Sequence, residues 1–193
     1  MSKHRRIMVA VSGASGAVYA KRLLEVLPSV YDRIYLTISE NAAQIIPQEL
    51  GVSNPQDIIA GQDSERFSVL ESDDLSAPPA SGSHDYDGVV VVPCSMGVVA
   101  RIASGVSNDL VTRAADVCLK ERRKVILVAR ETPLSLIHLR NLTVVTEAGA
   151  VVLPPAPAFY NAPQSIDDLV GFVVDRILRA LGLDARLLKG WGE

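Results

Sequence analysis

Long apolar runs, paired cysteines and an excess of charge of one sign are all missing from this chain, and each absence excludes a class of protein. No apolar stretch approaches the roughly 18 to 20 residues of a membrane span. The basic start Lys3-His4-Arg5-Arg6 precedes an apolar stretch, Ile7 to Val11, that is shorter than the ~7 to 15 residues of a secretory signal. A cytoplasmic location is expected. Lys and Arg number 19 against 22 Asp and Glu, for a net charge of −3. Phosphate backbones demand clustered cations, so neither nucleic acid nor membrane is an expected partner. Cys94 and Cys118 are the 2 cysteines, too far apart for a CxxC pair and too few for a disulfide framework. The 3 histidines, His4, His84 and His138, have no metal-ligand spacing, so no metal site is expected.

What is present is ample apolar residue, 48% of 193 residues against 21% charged, which suits one domain over 1–193. Short apolar runs alternate with helical stretches, the pattern of a doubly wound parallel α/β sheet. Ile7 to Val11 reads as a strand buried on both faces. A helix with Tyr19, Leu23, Leu24 and Leu27 follows and ends before Pro28. Strands are expected at 34–38, 67–70, 89–92 (stopped by Pro93), 125–129 and 150–153. A short helix limited or kinked by Pro47 should follow the second strand. Further helices are expected at 109–122 and 135–148, and a last one opens at Ser165, with Asp168 completing an acidic capping box. Residues 51–75 are polar and weakly periodic, and LSAPPASGS (75–83) reads as a loop.

Four places can carry chemistry. Ser12-Gly13-Ala14-Ser15-Gly16 joins a buried strand to a helix, where backbone N–H groups and the helix dipole favour a phosphate. The alternative is a tight turn without a ligand. The second strand ends on Ser39 followed by Glu40, without the acidic residue a dinucleotide ribose needs, so a mononucleotide fits better than NAD. Pro93-Cys94-Ser95-Met96-Gly97 closes a strand at the same edge, with Ser95 placed to bond a flat heterocycle and Cys94 read as a small buried residue. Arg130-Glu131 ends another strand at that edge, and Glu131 suits general acid–base work; the bland reading is a surface ion pair with Arg130. Arg122 and Arg123 are assigned to a solvated helix face. Phe159-Tyr160-Asn161 stands in a proline-rich segment that serves equally as ligand contact, packing corner or subunit contact. Asp73-Asp74 and Asp167-Asp168 lack the third Asp of a DDxxD motif, and the second pair reads as charge in a first helical turn.

Taken together, SGASGA, PCS, TRAADVCLKERR, RETP and PPAPAFYNAPQS resemble the flavin prenyltransferases of the UbiX family, long described as aromatic acid decarboxylases. The likeness spans nearly the whole chain and is weakest over 42–72. It implies a flavodoxin-like, Rossmann-type fold that binds FMN without a covalent bond. It also implies transfer of a dimethylallyl group from dimethylallyl phosphate to reduced FMN, giving the prenylated FMN used by a UbiD-type decarboxylase. By matching positions, Gly13, Ala14, Ser15, Ser39, Ser95, Met96, Gly97, Val98, Arg113 and Arg130 would hold FMN. Ser81, Lys120, Arg130, Tyr160 and Arg176 would hold the prenyl phosphate. The implied catalytic set is Glu131, Lys120, Tyr160, Ser15 and Glu49, with Glu131 assisting flavin proton transfer. Relatives form homododecamers with sites between subunits, so Tyr160 and Arg176 are expected to reach a neighbour's FMN. One departure is Glu40, where relatives carry Lys.

Two rivals share the fold. A decarboxylase acting directly on a small acid would use the same flavin site. A flavodoxin-like electron carrier explains the phosphate-binding turn but not the assembled Lys120, Arg130, Glu131, Tyr160 and Arg176.

Overall fold

A computed structural model describes residues 4–160 and 162–183. Six strands, β1 (Arg6–Val11), β2 (Arg33–Ile38), β3 (Phe67–Leu70), β4 (Gly88–Cys94), β5 (Lys124–Ala129) and β6 (Val151–Val152), form one sheet in the order β3-β2-β1-β4-β5-β6. Every neighbouring pair is parallel. This is the doubly wound α/β sheet expected, in a Rossmann-type order.

Strand alternation divides the core. Ile7, Val9, Val11, Val90, Val92, Ile126 and Val128 pack with α1 (Ala17–Val26), α2 (Glu40–Leu50) and α6 (Ile166–Ala180). Met8, Ala10, Val89, Val91, Val125 and Leu127 turn to the other face, against α3 (Met96–Ala103), α4 (Leu110–Lys120) and α5 (Leu136–Glu147). Both faces are covered, which is why these strands read as unbroken apolar runs rather than alternating ones.

Helix starts follow from their caps. Ser39, Ser95, Asp109, Ser135 and Ser165 each accept the N–H three residues on, opening α2 to α6, and so satisfy a donor that the helix cannot bond internally. The expected box of Ser165 and Asp168 is complete.

Three readings are corrected, at Pro93, at α3 and at Pro47. Pro93 does not stop β4, which runs on to Cys94. The ladder to β5 shifts register between Val91 and Cys94, so the missing proline N–H falls where regular pairing already lapses. Helix α3, absent from the sequence reading, starts immediately afterwards. Pro47 lies inside α2 without ending it. The weakly periodic 51–75 region contains 3-10 turns at Pro55–Ile59 and Ser64–Arg66 before the expected β3. Asn161 and residues 184–193 lie outside the described residues.

Candidate functional site

The strand order reverses between β1 and β4, so the loops that leave them part and open a crevice at the carboxyl edge of the sheet. A cleft of about 370 Å³ lies there, lined by Ser12, Gly13, Ser39, Ser95, Arg101 and Asp109 among others. Three of these residues are N-caps, of α2, α3 and α4; the α4 end is met by the carboxylate of Asp109 itself, while the α2 and α3 ends, capped by neutral serines, favour an anion. The Ser39 and Ser95 hydroxyls accept the Ala42 and Val98 N–H groups at 3.3 and 3.4 Å, and each keeps its own proton to donate.

Ser12 holds the two turns together. Its buried hydroxyl donates to the Pro93 carbonyl at 2.9 Å and accepts the Ser95 N–H at 2.8 Å. Arg101 pairs with Asp109 across the cleft wall. Burial pushes the Asp109 carboxyl up, but the Thr112 bonds and Arg101 outweigh it and hold it below the ordinary carboxylate value. Glu40 and Asp73 also line the opening. Sequence reasoning missed Arg101 and Asp109 here, because it missed α3 and read Asp109 only as the start of a helix.

The expected phosphate seat at the start of α1 is taken. Gly16, with φ of 121°, is the cap of α1 and offers no side chain; glycine alone adopts that backbone without strain. The Glu49 carboxylate, brought in by α2, supplies the cap instead and accepts the Gly16 and Ala17 N–H groups at 2.9 and 2.7 Å. Burial pushes Glu49 up, yet bonds from Ser15, Gly16 and Ala17 and the charge of Arg130 bring it below the usual value. An anion is therefore bound at this turn, but it is the protein's own.

Arg130 and Glu131 emerge at the same edge. The Arg130 N–H donates to the Cys94 carbonyl at 3.0 Å, which sets the pair beside Ser95. Both side chains are exposed, and they form no ion pair with one another; the Glu131 carboxylate accepts the Thr132 N–H at 3.0 Å. Cys94 is fully buried and its thiol is pushed up to about 12 by that burial, which fits the inert reading. Ala14, Met96 and Val98 are buried beside the cleft, while Ser15 and Gly97 are exposed.

The other expected residues are elsewhere. Lys120 ends α4 just before β5 begins, with its ammonium on Glu121 and against Gly82, and Ser81 is the next residue of that loop. Arg130 follows the far end of β5, and a six-residue strand spans about 20 Å. Lys120 and Ser81 thus occupy the amino edge, away from the cleft. Arg113 is spent on the Ala80 carbonyl at 3.0 Å and on Asp116 rather than lining the cleft. Tyr160 packs edge-on to Phe172, with ring centres 6.3 Å apart. Phe172 and Arg176 line a groove beside β6, and β6 stands three strands from β1. One subunit therefore presents the expected set as three separate clusters. Arg123 is no solvated residue: its guanidinium bonds the Gly82 and His84 carbonyls.

A family model described as Flavoprotein matches residues 1–178. The flavin prenyltransferase UbiX of Methanocaldococcus jannaschii is 46% identical over 187 residues, 97% of this chain and 98% of that protein. The chain belongs to the UbiX flavin prenyltransferase family. Solved structures agree. AnUbiX (PadA1), in complex with FMN and dimethylallyl pyrophosphate, superposes with a TM-score of 0.89 at 45% identity, covering 98% of this chain and 100% of that one. A dodecameric FMN-dependent UbiX-like decarboxylase from Escherichia coli O157:H7 gives a TM-score of 0.90 at 40% identity, covering 97% and 100%. Among the described residues of this UbiX-family chain, no helix is long and apolar enough to cross a membrane, and no group of three or more His, Cys, Asp or Glu is placed to hold a metal.

Proposed function

We propose that this protein is a flavin prenyltransferase: it moves a dimethylallyl group from dimethylallyl phosphate to reduced FMN, making prenylated FMN for a UbiD-type decarboxylase. The observation that carries this reading is the near-full-length likeness to AnUbiX, a complex with FMN and a dimethylallyl donor. That donor is a pyrophosphate, whereas the family resemblance implied a monophosphate, so both belong in the assay.

The cleft suits FMN in its chemistry. The serine-capped N-termini of α2 and α3 favour a phosphate, and the Ser39 and Ser95 hydroxyls have protons to give to flavin or ribityl oxygens. Gly13, Ala14, Ser15, Met96, Gly97, Val98 and Arg130 complete the FMN assignment. Bound reduced flavin supplies the electron-rich ring nitrogen and carbon that accept the allyl group. The chain's own task is at the leaving group. Breaking the allylic C–O bond leaves its electron pair on the phosphate, so cations held there lower the barrier. Lys120, Arg130 and Arg176 take that role, with hydroxyls from Tyr160 and Ser81. Glu131 is assigned to proton transfer. Glu49, locked on the α1 N-terminus with Ser15, places a fixed negative charge at the same edge.

Because those cations sit in three clusters, we assign the complete site to neighbouring copies in a homododecamer, the assembly of the E. coli relative. Leu136, Ile137 and Leu139 on α5 and Phe159 beside Tyr160 are exposed, an apolar surface suited to such contacts. The whole chain is taken as one flavoprotein domain. Two buried, unpaired cysteines accord with a cytoplasmic setting.

A direct decarboxylase is the second reading, favoured by the names of the E. coli relative and of the phenylacrylic acid decarboxylase from Aquifex aeolicus. One experiment separates them. The protein is incubated with reduced FMN and either donor, and the released flavin is weighed by mass spectrometry. A dimethylallyl adduct is expected; carbon dioxide from aromatic acids without any prenyl donor overturns the proposal.

A further inference from the structure

The loop that carries Ser81 is fastened to α4 by its backbone carbonyls. Arg113 Nε donates to the carbonyl of Ala80 at 3.0 Å. Arg123, in the turn after α4, forks onto the next two alternate carbonyls: Nη2 to Gly82 at 2.8 Å and Nη1 to His84 at 2.7 Å. Carbonyls 80, 82 and 84 therefore point to guanidinium groups. The intervening Ser81 and Ser83 side chains are exposed, with their hydroxyls 2.8 Å apart.

The fork is itself held. Its guanidinium lies 4.8 Å from the Tyr86 ring centre, within the range of a cation–π contact. Tyr86 is buried, donates to the Pro79 carbonyl at 2.8 Å and takes a bond from the Cys118 thiol. His84 meets the Tyr35 hydroxyl at 2.8 Å. At the other side of the loop, a Cβ on Gly82 would stand 2.6 Å from Lys120 Nζ and still closer to the Glu121 carboxylate. The backbone at Gly82 is thus the surface against which the Lys120 ammonium rests.

We propose that Arg123 is a positioning residue: by holding the Gly82 and His84 carbonyls it sets the Ser81 hydroxyl and the Lys120 ammonium at one spacing, as a preformed half-site for the donor's phosphate. This rests on the prenyl-transfer reading for the identity of the donor. A lysine cannot replace the arginine, because a point charge neither bridges two carbonyls in a plane nor stacks on the Tyr86 ring. Preorganisation of this kind appears in donor binding rather than in flavin binding, since the loop lies at the amino edge and the FMN cleft at the carboxyl edge.

The test compares wild type, Arg123→Ala and Arg123→Lys. Sedimentation checks assembly, flavin fluorescence gives FMN affinity, and single-turnover kinetics with dimethylallyl phosphate give donor KM and kcat. Hydrogen exchange of the 80–86 segment reads the loop without any reaction. Both variants should keep the assembly and FMN affinity within about twofold, raise donor KM by roughly tenfold or more and speed exchange in 80–86. Guanidinium chloride at millimolar concentration should partly restore KM for Arg123→Ala. Unchanged exchange, unchanged KM, full activity in Arg123→Lys, or an equal loss of FMN affinity each overturns the proposal. If wild type forms no adduct at all, the prenyl-transfer reading fails instead; unchanged exchange would then overturn the fork, and faster exchange would support it.

Discussion

If Lys120 and Arg130 serve one phosphate from two copies of the chain, variants of each should rescue one another. Lys120 rests at Gly82 on the amino edge, and Arg130 leaves the opposite end of β5, about 20 Å away along the strand. A phosphate group is far too small to touch both within one subunit. Lys120→Ala and Arg130→Ala each remove a charge-assisted hydrogen bond of about 1.5–3 kcal/mol, which is roughly 10- to 150-fold in donor handling. In an assembly formed from equal amounts of the two variants, a shared site takes its lysine from one copy and its arginine from another. Both are intact in about a quarter of sites. The assay is single-turnover adduct formation by co-expressed, doubly tagged mixtures, set against each variant alone. Activity near a quarter of wild type is expected. A mixture no better than the average of its parents would place both side chains in one copy and refute the strand-length reasoning.

Glu131→Gln keeps the shape of an exposed side chain and removes its charge; FMN should bind as before while adduct formation slows by about 10²-fold, the lower range for loss of an acid–base group, as stopped-flow flavin absorbance will read. Ser12→Ala removes a buried hydroxyl that both donates to Pro93 and accepts from Ser95, so thermal or urea unfolding should show a loss of about 1–3 kcal/mol together with weaker FMN binding. The Glu49 carboxyl is held below its usual value of 4.5. A depressed carboxyl stabilises the fold above its unfolded value, and that contribution fades as pH falls through the lower folded value. Glu49→Gln should therefore cost stability at neutral pH and flatten the decline below pH 4.5; an unchanged acid limb in urea titrations would show that the carboxylate does not cap α1.

Most of the sheet was legible because burial on both faces leaves little choice of residue. Ile7 to Val11, Val89 to Val92 and Val125 to Ala129 are apolar without a break, and no helix surface would tolerate that. The failures have local causes. Pro93 reads as a terminator only if its N–H is needed, and the register shift beside it removes the need. Helix α3 is 8 residues long, too short for periodicity to stand out, although Ser95 ahead of Met96, Val98, Val99 and Ile102 was a usable cap and stripe. Beyond Leu50, the 3-10 turns carry no repeat that a pattern can catch.

The site was legible by edge and illegible by ownership. Strand ends announce which turns face the crevice, and so Ser12 to Gly16, Ser39, Ser95 and Arg130 could be grouped from the sequence. Sequence cannot say that the Glu49 carboxylate, 33 residues on from Gly16, would occupy the N–H groups of Gly16 and Ala17, because Glu49 sits in the last turn of an ordinary helix. Nor can it say whether one copy of the chain supplies both cations, since Lys120 lies shortly before β5 and Arg130 directly after it. Ten positions are a small separation in a sequence, yet the 6 residues of β5 between them span the full height of the sheet. A parallel sheet turns such neighbours into opposite faces of the molecule. If the proposed set does converge on one small anion, it has to be closed by association: the copy that offers Arg130 at its carboxyl edge then needs another copy's amino edge, with its Ser81 and Lys120.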